Sequence, residues 1–144
     1  MRAPRAARSA LYLLCAAALS IGATATIAPR TFYDDFPFVA QWVNLLPPYN
    51  EHLVTDVGGL YLGFAVVLGW AGWSLERSLV RAASAGWLLA AALHFVFHAG
   101  HLEGFSTADA IAELASLALL VGAPVVALWA AGGSGPPSPN ARQP

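Results

Sequence analysis

The chain has 144 residues, 58% of them hydrophobic and only 10% charged, with a mean hydropathy of +0.60; an ordinary soluble domain, in which about a quarter of residues are charged, is excluded. Seven arginines and no lysine against eight carboxylates give a net charge of −1, which argues against a basic surface and against nucleic acid as a partner. The single Cys15 excludes an internal disulfide framework and any cysteine-rich metal motif.

A bilayer core about 30 Å thick needs about 20 apolar residues per helix. Four windows meet that length, at about Ala10 to Ala28, His52 to Ser74, Ala82 to Leu102 and Ala108 to Ala131. They predict an all-α protein, a four-transmembrane-helix bundle forming one domain over residues 1–131. The first window, "MRAPRAARSALYLLCAAALSIGATATIA", also has the arginine-rich start and small residues of a secretory signal, with cleavage after "ATA" as the alternative. Its apolar run of about 19 residues is long for a signal core, and its removal would leave three spans, so an uncleaved helix is expected. Leu14, which precedes Cys15, is too large for a lipoprotein signal.

Between the first and second spans, "PRTFYDDFPFVAQWVNLLPPYNE" is dense in aromatic residues: Phe32, Tyr33, Phe36, Phe38, Trp42 and Tyr49 have the composition of an interfacial belt. Phe38, Val39, Trp42, Val43 and Leu46 recur at helical spacing, which predicts a short interfacial amphipathic helix stopped by Pro47 and Pro48. Such a segment either anchors the loop or forms a lid over something held between the helix ends. In the second span, Gly59 and Gly63 stand in "GLYLG", with Gly58, Gly69 and Gly72 nearby, and predict a seam of close helix packing in lipid.

Arginine placement sets orientation, because arginine-rich loops stay in the cytoplasm. Arg2, Arg5 and Arg8 precede the first span, Arg77 and Arg81 separate the second and third, and Arg142 follows the fourth; only Arg30 falls on the other side. A multi-pass protein of the inner (plasma) membrane is expected, with both termini cytoplasmic and the segments 29–51 and 103–107 outside. The ending "GGSGPPSPNARQP" is a Gly/Pro/Ser tail, expected to be disordered from residue 132.

The third span ends in "HFVFHAGHLEGF", residues 94–105, and its spacings of four and three place His94, His98 and His101 on one helix face. With this orientation all four histidines, together with Glu51, Asp56, Glu103, Asp109 and Glu113, lie in the outer half of the membrane or just beyond it. Arg30 is the one fixed cation expected there, against those five carboxylates plus Asp34 and Asp35. Ionisable side chains at membrane depth cost several kcal/mol unless they face a bundle interior and find a partner. Asp56, His94 and Glu113 therefore need an explanation most.

The leading expectation is a divalent transition-metal site, with His94, His98 and His101 as ligands and help from Asp56 and Glu113; His52, Glu51 and Asp109 are possible additions. Imidazole nitrogen with carboxylate oxygen suits zinc, iron, manganese or copper, and histidines at i and i+4 grip one ion from one face. The first alternative is a haem- or quinone-linked redox subunit, with His52 and His94 or His98 as axial ligands of a haem. The second is a non-catalytic subunit in which His94 and His98 hydrogen-bond Asp56 or Glu113 as an interhelical polar clamp. Beside these stand plainer roles: "STAD" reads as a helix cap ending in Asp109, Glu51 and Glu103 as solvated loop residues, and His52 and His101 as interfacial histidines.

No Ser/His/Asp order, phosphate-binding glycine loop or HExxH helix is present. Four histidines are too few for a membrane di-iron hydroxylase, and the inner half offers no continuing path for transmembrane proton transport. Whether the chain is an enzyme stays open, and the partners expected are the bilayer and a second membrane protein or another copy of the chain. The stretch "HLVTDVGGLYLGFAVVLGWAG" resembles the corresponding helix of small four-helix bacterial membrane proteins of the DoxX-like kind. The resemblance implies the four-helix layout; that family is associated in places with quinone-linked sulfur oxidation, but no catalytic residue carries over and the histidine cluster is not part of the likeness. The alanine- and arginine-rich, lysine-free composition suggests a high-GC bacterium.

Overall fold

The computed structural model describes residues 3–46 and 48–132, so the expected tail beyond Gly132 and the helix stop at Pro47 lie outside the described residues. Five α-helices follow one another: α1 (Ala3–Ile27), α2 (Pro29–Asp35), α3 (Glu51–Ser74), α4 (Arg77–Ala99) and α5 (Thr107–Gly132), with a 3-10 turn at Val43–Leu45. Four of them, all but α2, are long and apolar enough to cross a membrane. They fit a multi-pass membrane protein.

Local chemistry sets the helix ends. The Asn50 side chain accepts the Leu53 N–H at 3.1 Å and starts α3 at Glu51, whose charge suits a first turn. Two residues, Leu75 and Glu76, join α3 to α4. Leu75 takes a left-handed conformation (φ 52°) that breaks the helix while its N–H still bonds the Ala71 carbonyl. Helices α1 and α4 begin earlier than the apolar windows because their arginine- and alanine-rich starts are themselves good helix formers.

The loop between α1 and α3 differs from its expected form. The helical segment is Pro29–Asp35, whereas Phe38 to Leu46 holds bends and the 3-10 turn. Pro37 removes a backbone donor and Phe38 sits at φ 72°, neither compatible with an α-helix through this stretch.

Helix α1 packs most extensively along α3 and also along α5; α4 packs chiefly on α5 and less on α3. The closest approach is between α1 and α3. A Cβ on Gly22 would lie 2.9 Å from the Leu62 nitrogen, one on Gly58 would lie 2.8 Å from the Thr26 nitrogen, and one on Gly72 would strike the Tyr12 ring at 2.9 Å. Gly59 and Gly63, the expected seam, have nothing within 4 Å. Each residue turns a helix by about 100°, so Gly59 stands well round from Gly58 and faces outward. The seam is Gly58, Ala65 and Gly72, at steps of seven.

The core is built mostly of alanine, with Ala18, Ala71 and Ala127 wholly enclosed beside Leu11, Leu14 and Leu68. Most of it lies toward the end of the bundle where α1 begins and α5 ends, the half away from the histidines. On the outside Leu60, Val66, Trp70, Leu93 and Trp129 are each more than half exposed, the apolar surface that a bilayer would cover.

The packing separates two glycines five residues apart. Gly58→Ala should destabilise the purified protein by about 1–3 kcal/mol through overpacking, whereas Gly63→Ala should stay within about 0.5 kcal/mol. Thermal unfolding in detergent reads both.

Candidate functional site

At the end of the bundle where α4 ends and α5 begins, the two helices meet through ionisable side chains. His98 Nδ1 lies 2.5 Å from Glu113 Oε1, with side chains only 8% and 3% exposed. The oxygen stands off the line of a ring N–H, and Glu113 Oε2 has no hydrogen-bond partner among the described residues. His98 is in the last turn of α4, while Glu113 is about 9 Å along α5. The start of α5 therefore projects beyond the end of α4, and the turn through residues 100–106 spans the step.

His94, one turn back on α4, lies against His98 with ring centroids 4.4 Å apart and the planes tilted by 60°. The other expected ligands lie elsewhere. His101 donates from Nδ1 to the Phe97 carbonyl at 2.7 Å and stacks on the Phe97 ring at 4.1 Å. Asp56 pairs at 3.3 Å with His52 on α3, the two side chains being 58% and 86% exposed. That pair shares the outward stripe of Gly59 and Gly63, because α3 turns its glycine seam to α1. Of the five leading residues, the structure thus brings together His94, His98 and Glu113 and leaves Asp56 and His101 apart. Among the described residues no group of three or more His, Cys, Asp or Glu side chains is arranged to hold a metal ion.

Asp109 is occupied by its own helix start. Ser106 Oγ accepts the Asp109 N–H at 3.1 Å and donates to Asp109 Oδ2 at 2.6 Å, a reciprocal cap. The other oxygen, Oδ1, accepts Trp42 Nε1–H at 3.2 Å. This bond ties the α1–α3 loop to the beginning of α5. The loop is braced at its far side by Arg30, which donates to Asp34 at 2.7 Å and lies over the Tyr49 ring at 4.9 Å. The hydrogen bond from Asp34 raises the Arg30 pKa above its already high ordinary value and keeps the guanidinium charged. Glu51 stands beside Tyr49 and adds to burial in raising the phenol's pKa. Glu103 is exposed in the α4–α5 turn.

A second tie between α4 and α5 was not read from the sequence. Pro124 stands inside α5 and brings no N–H, so the carbonyl four residues earlier, Leu120, loses its helical donor. Trp87 Nε1–H supplies it at 3.0 Å. At bilayer depth, where water cannot serve, a freed carbonyl needs such a neighbour. The signal was present, since a proline within an apolar span announces an orphan acceptor one turn upstream, but the sequence does not say which helix answers it.

Where α3 and α4 separate, a cavity of about 340 Å³ opens between them with α5 as its floor. Tyr61 and Phe64 meet the Trp87 ring edge-on at 5.8 Å and 5.6 Å along its wall. Ala91 and Leu120 also line it, and His94 is the one imidazole that does. No protein-family model, curated protein or solved structure matches the chain.

The Trp87 bond has its own test. Trp87→Phe should cost about 1–3 kcal/mol by leaving a buried carbonyl unsatisfied. In a Pro124→Ala background, where the helix supplies its own N–H to Leu120, the same change should cost clearly less. Equal costs in both backgrounds would show that the indole contributes packing alone.

Proposed function

We propose that this chain is a small integral membrane protein, with both termini cytoplasmic, whose outer-half histidine and carboxylate serve as an interhelical clamp: a non-catalytic membrane subunit held together by His98 and Glu113. The observation that carries this reading is the enclosed 2.5 Å contact between the consecutive helices α4 and α5. An imidazole and a carboxyl meeting inside the bundle give each other a polar neighbour, which lipid cannot. Retention of α1 is part of the same reading, since Leu11, Leu14 and Ala18 are wholly enclosed in the core.

One observation favours a second reading. Glu113 Oε2 is enclosed without a hydrogen-bond partner, and an uncommitted carboxylate oxygen on a residue that meets an imidazole is what a divalent cation takes. This is a metal site narrower than the sequence suggested, drawn from His94, His98 and Glu113.

Purified variants separate the two. On the clamp reading, His98→Ala and Glu113→Ala each destabilise the protein by roughly 2–5 kcal/mol, the range for removing one member of an enclosed polar or charged pair. His94→Ala costs less than about 1 kcal/mol, and zinc, copper or a chelator moves none of the thermal midpoints. Stoichiometric metal in the purified protein, lost in both Glu113→Gln and His94→Ala, would replace the clamp with the metal site.

A further inference from the structure

The clamp leaves His94 unexplained. Its ring leans on His98, but neither of its nitrogens has a hydrogen-bond partner among the described residues. It lies about 7.5 Å from the outer end of α4. A polar ring at that depth is costly unless something meets it. His94 is exposed, and it faces the cavity between α3 and α4.

The cavity has the form of a ligand site. Its volume of about 340 Å³ is at the small end of the range for small-molecule pockets, whose walls are mainly apolar and aromatic with few polar groups. The Trp87 indole on its wall is locked by the bond to Leu120, so this side of the cavity is preformed. Leu60, at the opening, is 69% exposed, so the mouth lies on the face that lipid would cover. By contrast, the shallow depression formed by Gly69, Trp70 and Trp73 elsewhere on α3 lies open along the surface and has no titratable side chain in its lining.

We infer that the α3–α4 cavity binds a lipid-soluble molecule with an apolar body and one hydrogen-bonding oxygen, which enters sideways from the bilayer and places that oxygen on His94. The body lies against Tyr61, Phe64 and Trp87. An imidazole donates to a carbonyl or accepts from a hydroxyl according to its tautomer, so one residue accommodates either kind of oxygen. A hydrocarbon chain without an oxygen would fill the cavity but leave His94 unmet.

The test is photolabelling of the full chain in phosphatidylcholine vesicles, with two diazirine probes of equal length, a long-chain alcohol and the matching alkane. Mass spectrometry locates and quantifies the label. The alcohol should concentrate on the lining residues Tyr61, Phe64, Trp87, Ala91 and His94, at least fivefold above the outward residues Val66, Leu93 and Val96. The alkane should label the cavity several-fold less than the alcohol. His94→Leu should remove the alcohol's advantage without shifting the thermal midpoint appreciably, and Ala91→Phe, which fills the cavity from its wall, should lower labelling by both probes. Should Ala91→Phe fail to fold, Leu60→Trp at the mouth tests the same point. Equal labelling by the two probes, or alcohol labelling that His94→Leu does not change, would overturn the assignment; so would label spread evenly over the lipid-facing surface.

Discussion

A polar atom at bilayer depth has no water to turn to, and much of this bundle's arrangement follows from where its polar atoms find partners. Between α4 and α5 there are two such meetings. Glu113, enclosed on α5, is met by His98 on α4, and the Leu120 carbonyl, freed by Pro124, is met by the Trp87 indole. The contacts sit at different heights on the same pair of helices. Together they fix rotation and register, which apolar packing among alanines specifies only weakly.

The molecule divides its work by depth. The α1–α3 seam at Gly22, Gly58 and Gly72 runs along most of both helices and excludes even a methyl group, and toward the start of α1 alanines fill the core behind it. Toward the other end the polar ties take over, and the α1–α3 loop is drawn across to α5 by the Trp42–Asp109 bond. Because α3 is committed to α1 and α4 to α5, α3 and α4 have the least contact among the spans that neighbour each other. The cavity follows from that division. A two-residue connection holds α3 and α4 together at one end, and they stand apart further along.

Much of the layout could be read from the sequence. Length and hydropathy gave four long apolar helices and the polar bias of one half, because those features depend on composition along one axis. Rotation about that axis was less legible. Gly59 and Gly63 matched a packing pattern, yet the seam runs through Gly58, one residue and about 100° away. Asp56 and Glu113 looked equivalent by depth, but Asp56 faces out with His52 while Glu113 faces in to His98. The spacing of His94, His98 and His101 placed them on one face, and even so His101 is taken by its own helix through the Phe97 carbonyl. In the loop, helical spacing from Phe38 to Leu46 was outweighed by Pro37 and by the backbone of Phe38.

The central claim is that His98 and Glu113 hold α4 to α5 through each other. A double-mutant cycle of His98→Leu, Glu113→Leu and the pair together, read by thermal or denaturant unfolding of the full chain in one detergent, measures that coupling directly. The account predicts that the double variant is less destabilised than the sum of the single ones, with a coupling of about 1 kcal/mol or more. Additivity within about 0.3 kcal/mol would contradict it, since residues that do not interact behave that way.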